Sequence, residues 1–324
     1  MLVMVTHEIL LYYCYSHIED PEAFREAHHA FCLAHDLRGR IIIAQEGING
    51  TISGLPENTA AYRLHLLADG RFPDLDFKIE WHKGHAFQKL YVRVKPEIVH
   101  SGLRHLHPHQ KTGKYIEPQE FKDLKNAEDV ILLDVRSNYE HQVGKFKNAL
   151  TLDIDHFREF PQKIKELEQY RDKKIITYCT GGVKCEKASA YLLENGFSEV
   201  YQLHGGIIKY GLETGGEDFE GKCYVFDNRV VAEVNRINPT IIALCQICQV
   251  PCDRMVNCAN PTCNGHFPMC EACGWQMEGA CSTECQAHPE KRAYDGTGYY
   301  QKELNGYDPA MNSRNKQRIK NAES

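Results

Sequence analysis

Cys179 is the residue of this sequence with the clearest features of a reactive nucleophile. It follows an apolar run, Lys174–Tyr178, that is typical of a buried strand, and it opens a short loop rich in glycine. The loop consists of Thr180, Gly181, Gly182, Val183, Lys184 and Cys185. The glycines allow the backbone to curl with its N–H groups pointing inward. Lys184 adds a full positive charge, and the predicted helix Cys185–Asn195 adds the positive end of its dipole.

Each of these features stabilises negative charge on sulfur, so we expect a depressed pKa for Cys179. The same N–H groups would stabilise an anion attached to the sulfur, which indicates a thiol that becomes anionic, persulfidated or oxidised. An inert buried cysteine at the end of a strand would not require two glycines and a lysine. Cys185 has two interpretations that stay open, as a resolving thiol for Cys179 or as a small core residue.

A second group of chemically capable residues lies near the C-terminus, where nine of the 14 cysteines fall between Cys245 and Cys285. Eight of them form four pairs: Cys245 and Cys248, Cys258 and Cys263, Cys270 and Cys273, Cys281 and Cys285. Two C-x-x-C pairs have the spacing of zinc knuckles. Four pairs would supply two four-thiolate sites, and we predict an interleaved arrangement, the first pair with the third and the second with the fourth. Structural zinc is the favoured metal, with iron–sulfur ligation or reduced free thiols as alternatives. Cys252 and His266 could replace a ligand.

Composition limits the classes of protein that the chain can represent. Its 324 residues suffice for two or three domains, and 42% hydrophobic and 25% charged residues are typical of a globular protein. The net charge of −6 argues against a uniformly basic surface but not against a local basic face. No apolar run approaches the roughly 20 residues of a membrane span, and the start lacks the features of a signal peptide. We therefore expect a cytoplasmic protein without membrane contact, whose cysteines are thiols or metal ligands.

Residues 1–98 contain predicted strands and helices in the order of a ferredoxin-like domain. The pattern βαββαβ predicts this α+β fold. The predicted strands and helices are 10–15, 21–35, 40–44, 51–53, 56–67, 77–81 and 91–94, with a turn at 46–50. Tyr12, Tyr13 and Tyr15 lie on the first strand, where tyrosine serves equally for stacking bases or for core packing.

A predicted linker, residues 99–114, contains His100, His105, His107 and His109. We interpret this segment as a solvated loop.

Residues 115–226 form a second domain with alternating strands and helices, typical of a parallel sheet. The predicted strands and helices are 130–134, 156–170, 174–178, 185–195 and 200–203. Ligands bind beyond the C-terminal ends of such strands, which is where Cys179 lies. Residues 227–324 form the Cys-rich module, ending in a basic tail at 312–324.

The second domain resembles the rhodanese family. The resemblance rests on Asp134-Val-Arg136, Glu140, Gly144 and Ala149, on the Cys179–Cys185 loop, and on Leu203-His-Gly-Gly206. By this resemblance Asp134, Arg136 and Glu140 support the wall of the active site rather than attack a substrate. A salt-bridged surface pair is the alternative interpretation of Arg136 and Glu140.

Nearly the whole chain resembles the bacterial rhodanese-containing tRNA uridine 5-hydroxylase family. The stretches that carry the resemblance are Gln45–Ser53, Tyr178–Ser189 and Cys223–Asp227. The resemblance implies an oxidoreductase that converts uridine 34 of tRNA anticodons to 5-hydroxyuridine with dioxygen, with tRNA as its partner. The family usually has arginine where this chain has Lys184, which keeps the charge and loses the planar fork.

Three other functions compete with this one. A sulfurtransferase would carry a persulfide on Cys179, and a non-enzymatic RNA-binding protein would not need this intact thiol. A phosphatase of this fold would have one more loop residue and arginine at the seventh loop position, where this chain has Cys185. The sequence contains no recognisable dinucleotide or haem motif, so no organic cofactor is predicted, and the oligomeric state is left open.

Overall fold

An N-terminal sheet of five strands, covered on one face by two helices, forms the first part of the fold. The computed structural model describes residues 6–298 and 300, in two units that divide between Thr240 and Ile241. The elements of the first sheet are β1 (Thr6–Tyr15), α1 (Pro21–Ala34), β2 (Arg38–Ala44), β3 (Gly47–Gly54), α2 (Pro56–Leu67), β4 (Lys78–Lys83) and β5 (Leu90–Val94). The strand order is β4-β1-β3-β2-β5, and only β5 pairs in parallel. The ferredoxin-like prediction is confirmed, and β5 extends that sheet at one edge.

Alternation along the strands gives this sheet one covered and one open face. Tyr12, Ile41 and Ile52 pack in the core with Tyr62 and Leu66 of α2. On β1 the opposite face carries Leu11, Tyr13 and Tyr15, which point towards the second part of the unit.

The predicted turn at 46–50 is largely wrong, because β3 already begins at Gly47. Gly47 has φ +144, and a Cβ on Gly50 would collide with the Tyr12 ring. These glycines therefore serve the close approach of β3 to β1 rather than a long turn.

The second part of the unit is built on a parallel sheet, as the rhodanese prediction requires. Its elements are β6 (Lys114–Ile116), α3 (Pro118–Leu124), β7 (Val130–Asp134), α4 (Asn138–His141), β8 (Gly144–Phe146), β9 (Leu150–Thr151), a 3₁₀ helix (Phe157–Tyr170), β10 (Lys174–Tyr178), α5 (Val183–Glu194), β11 (Val200–Leu203), α6 (Gly206–Thr214), β12 (Phe219–Gly221), β13 (Cys223–Tyr224) and β14 (Val231–Ala232). The sheet order is β6-β11-β10-β7-β9, with all neighbours parallel.

Two predicted helices differ in detail. The expected helix 156–170 is a 3₁₀ helix, and Pro161 within it has no N–H to donate to an α-helical ladder. Helix α5 begins at Val183 rather than Cys185, because Gly182, at φ +102, ends the loop and occupies the N-cap position.

The segment predicted as a linker is anchored to the fold. Leu103 and Leu106 are buried, and both carbonyls accept hydrogen bonds from Lys187 Nζ of α5, at 3.1 and 2.9 Å. The four histidines of the segment are exposed, as a solvated loop requires. The predicted domain boundaries at 98/99, 114/115 and 226/227 stay predictions. Beyond the last of these boundaries, Ala232 and Val234 still pack in the core of the parallel-sheet part.

The second unit contains few regular elements: β15 (Met255–Asn257), β16 (His266–Pro268), α7 (Glu271–Gln276) and α8 (Thr283–Gln286). Its buried cluster consists largely of cysteines with Val256, Phe267 and Met269. The predicted tail at 312–324 lies outside the described residues. Within residues 6–298 and 300, no helix has both the length and the apolar character needed to cross a bilayer.

Candidate active site

Cys179 lies at the C-terminal end of the central strand β10, at the start of the glycine loop. Its side chain is 2% exposed, and its Sγ accepts the backbone N–H of Gly182 at 3.2 Å. The loop closes against α6, where the backbone N–H groups of Ile207 and Ile208 bind the carbonyls of Cys179 and Thr180. The N–H of Gly182 therefore contacts the thiol itself, while α6 fixes the backbone of the loop.

The environment favours the thiolate form of Cys179. Burial raises the pKa of this thiol. Hydrogen bonding from Cys185, the charge of Lys184 and the N–H groups of both residues lower the pKa by more than burial raises it, so that the pKa falls to about 7. A substantial fraction of Cys179 is therefore nucleophilic at neutral pH.

Cys185 lies beside Cys179 on the first turn of α5. It is fully buried in a core cluster with Ala188 and Leu192. Burial, together with the neighbouring Cys179, raises its pKa well above the ordinary value, so Cys185 is the protonated partner that donates to Cys179. Core packing and the position of a resolving thiol are both compatible with this placement.

Lys184 is fixed by a carboxylate that the local sequence does not reveal. Its Nζ forms a short ion pair with Glu140 Oε2, which also accepts the backbone N–H of Ser137 at 3.1 Å. Glu140 is fully buried, and its Oε1 has no hydrogen-bond partner. Glu140 thus holds the positive charge of Lys184 close to the sulfur.

Arg136 and Asp134 lie behind this wall. Arg136 is fully buried, donates to Asp134 through Nε at 2.9 Å and Nη2 at 2.7 Å, and reaches the Gly144 carbonyl at 2.6 Å. The interpretation of Arg136 and Glu140 as a surface pair is wrong, because both are buried and each has a different ionic partner. That Asp134, Arg136 and Glu140 support the wall of the active site stays a prediction.

The open face of the N-terminal sheet lies directly on the glycine loop. Tyr13 Oη donates to Glu186 Oε1 at 2.9 Å, and Tyr15 Oη lies 3.4 Å from the Val183 carbonyl. A Cβ on Gly181 would come within 2.9 Å of Leu11, and one on Gly182 within 2.8 Å of Tyr13 Oη. The glycines therefore allow the sheet to cover the loop, a function that only the tertiary structure reveals.

A cavity of about 560 Å³ lies between this sheet and the loop. Its lining includes Cys179, Gly181 and Lys184 of the loop and Leu11 and Tyr13 of the sheet. The volume is within the roughly 300–1,000 Å³ typical of small-ligand pockets. The nucleophile predicted from the loop thus lines a partly open cavity large enough for one nucleotide.

The C-terminal cysteines form two separate groups of four. Their members are Cys245, Cys248, Cys270 and Cys273 in one group, and Cys258, Cys263, Cys281 and Cys285 in the other, with sulfurs within 4.8 Å of one another. This grouping is the interleaved one. Adjacent sulfurs lie 3.6–3.8 Å apart in three pairs, and tetrahedral zinc at about 2.3 Å from each sulfur requires about 3.8 Å. Each group could hold a metal ion; Cys252 and His266 belong to neither.

Three family models match consecutive parts of the chain. The UPF0176 acylphosphatase-like domain covers residues 7–98, the rhodanese-like domain 117–213 and the rhodanese C-terminal domain 220–286.

Two relatives match along most of the chain. A tRNA uridine(34) hydroxylase of Cytophaga hutchinsonii is 67% identical over 95% of this chain and 99% of its own. One from Staphylococcus aureus strain JH9 is 46% identical over 89% of this chain and 92% of its own. A solved rhodanese-related protein from Thermoplasma volcanium is 28% identical, covers 31% of this chain and 93% of its own, and superposes with a TM-score of 0.27.

Proposed function

The chain belongs to the tRNA uridine(34) hydroxylase family, and we propose that it converts uridine 34 of tRNA anticodons to 5-hydroxyuridine with dioxygen as co-substrate. The observation that carries the proposal is the placement of Cys179, a thiol with a lowered pKa that lines a cavity the size of a nucleotide. A base in the anticodon loop is already unpaired, so its entry does not require a duplex to open. A tRNA substrate also favours a cytoplasmic location.

In the proposed reaction Cys179 attacks the base directly. C6 of uridine is electrophilic, and addition of the thiolate there makes C5 nucleophilic towards an oxidant. Loss of the C5 proton and of the thiolate then restores the ring. Because hydroxylation uses one atom of dioxygen, reduction of the other to water consumes two electrons and two protons from a separate donor. The loop N–H groups and Lys184 stabilise the thiolate before attack and after release. A sulfenate or persulfide on Cys179 is the competing form of the reactive sulfur.

The C-terminal module is proposed to bind two zinc ions structurally. Cys245, Cys248, Cys270 and Cys273 would hold one, and Cys258, Cys263, Cys281 and Cys285 the other. Bound zinc would supply folding energy to a unit whose buried cluster consists mainly of cysteine.

The test is incubation of purified protein with unmodified tRNA and a reductant, in air and under nitrogen, followed by mass spectrometry of the nucleosides. We expect 5-hydroxyuridine only in air and only with Cys179 intact. Its formation under nitrogen would contradict the role of dioxygen. No product in either atmosphere, together with thiocyanate formation from thiosulfate and cyanide, would instead identify a sulfurtransferase.

A further inference from the structure

Unpaired positive side chains surround the cavity above Cys179. Arg40 of β2 and Arg158 at the start of the 3₁₀ helix line it from the two parts of the first unit, and both are exposed. Within the described residues neither has a carboxylate within 4 Å, and Arg40 makes only a 3.4 Å contact to the Phe226 carbonyl. Glu140, the carboxylate of the lining, is already paired with Lys184. The opening of the cavity is therefore positively charged, although the chain as a whole has a net charge of −6.

Strand β5, the addition to the ferredoxin-like sheet, extends this basic surface. Its register places Tyr91 beside Arg40 and Arg93 beside Ile42, another residue of the cavity lining. Since neighbouring residues in register share a face, Tyr91 and Arg93 lie on the open face. Arg93 is exposed, and its guanidinium lies 5.0 Å from the centre of the Tyr91 ring. The edge of the sheet thus presents a second arginine with an aromatic platform.

Phe226 supplies an apolar surface at the same cavity. It lines the wall and is 44% exposed, so part of its ring is accessible to a ligand in the cavity. Its ring centre lies 5.8 Å from Lys184 Nζ. A positive groove with aromatic platforms is the arrangement that binds single-stranded nucleic acid, with phosphates on the basic groups and bases stacked on rings.

We propose that Arg40, Arg93, Arg158 and Phe226 form an RNA-binding rim that holds the single strand on both sides of the reacting uridine. Arg158 binds a phosphate on one side of the cavity, Arg40 and Arg93 bind phosphates on the other, and Phe226 stacks on a neighbouring base. This inference rests on the proposed function, and it assigns to the N-terminal sheet the role of positioning RNA over Cys179.

The experiment measures binding of a fluorescent anticodon stem-loop RNA to the full-length protein between 50 and 300 mM salt. We expect Arg40→Ala, Arg93→Ala and Arg158→Ala each to weaken binding about five- to tenfold. The slope of log affinity against log salt is negative, and each substitution should make it shallower by about 0.7, the value for one phosphate contact with a single strand. Arg25→Ala removes the same charge from α1, on the covered face of the sheet, and should leave affinity and slope unchanged.

Two further measurements keep the result interpretable. Arg40→Lys keeps the charge and should retain most of the affinity, and the alkylation rate of Cys179 should be the same in all variants, which shows an intact loop. If the three arginine variants bind like the wild type while the wild type hydroxylates tRNA, the rim is wrong. If binding depends on the arginines but no 5-hydroxyuridine forms, the rim stands and the proposed reaction fails.

Discussion

At the scale of single residues, the reactivity of Cys179 depends on charges supplied from two places in the sequence. Lys184 comes from the loop itself, whereas Glu140, which fixes Lys184, comes from the short helix α4. Burial alone would make Cys179 less acidic, so the loop must outweigh its own desolvation. The lowered pKa is therefore sensitive to the loss of one charge.

We predict that Lys184→Ala raises the pKa of Cys179. The thiolate forms only above the pKa, so the rate of iodoacetamide alkylation should rise through a midpoint near pH 7 in the wild type and through a higher pH in the variant. Lys174→Ala, at the opposite end of β10, is the control and should leave the midpoint in place. The same midpoint in Lys184→Ala and wild type would mean that Cys185 and the backbone N–H groups lower the pKa without a contribution from Lys184.

We predict that Cys179→Ser folds normally and loses activity, because serine is similar in size but is not ionised at neutral pH. Formation of 5-hydroxyuridine measures the activity, and thermal unfolding measures the fold. Turnover above about a tenth of the wild-type value, a loss of only about 1.4 kcal/mol, would show that another residue is the nucleophile.

The sequence was sufficient to identify Cys179 and the charge of Lys184, because strand, glycines and lysine are adjacent in the chain. It did not identify Glu140 as the partner of Lys184 or Tyr13 as part of the cover. These contacts join residues 44 and 173 positions apart, and nothing local distinguishes such residues from ordinary surface acids or core tyrosines.

At the scale of elements, a buried ion pair joins the N-terminal sheet to the helix that follows the active loop. Lys187 of α5 is fully buried, and its Nζ lies 2.7 Å from Oε2 of Glu46. Glu46 belongs to the turn between β2 and β3. Glu46 Oε1 also accepts the backbone N–H of Ile98 at 2.9 Å. Together with the bonds from Lys187 to the Leu103 and Leu106 carbonyls, these contacts fasten sheet, linker and helix at one point.

We predict that Glu46→Gln destabilises the first unit by about 3–5 kcal/mol, because it leaves the Lys187 ammonium buried without a counter-ion. Glu46→Gln combined with Lys187→Met removes both charges and should recover part of the loss. Chemical denaturation followed by tyrosine fluorescence measures both. Lys163→Met, which breaks the exposed pair with Glu166, is the control and should cost less than about 1 kcal/mol. Equal losses in Glu46→Gln and the control would contradict the anchoring role.

At the scale of the whole molecule, the first unit has extensive apolar cores while the second depends on its cysteines. Cysteine spacing predicted the two groups of four because each pair is close in sequence. The 3₁₀ type of the helix at 157–170 was not predicted, although Pro161 is a local signal against an α-helix. The start of β3 was not predicted because the close approach of β3 to β1 depends on tertiary neighbours.

We predict that the full-length protein contains two equivalents of zinc and that their removal unfolds the second unit alone. Elemental analysis measures the metal, and limited proteolysis with mass spectrometry locates the cleavage sites, expected beyond residue 240. Cys248→Ala should lose one equivalent, whereas Cys252→Ala, in neither group, should retain both. Metal-free protein that resists protease as well as the metal-bound form would contradict a structural role.

The cover that Leu11 and Tyr13 provide for the glycine loop has a consequence for biosynthesis. The sheet that contributes these side chains is encoded by the first hundred residues, and Cys179 is translated much later. Because domains tend to fold in the order in which they leave the ribosome, the cover can form before the thiol emerges. The nascent loop can then close beneath an existing surface, which shortens the period in which an acidic thiol is open to oxidants in the surrounding solution.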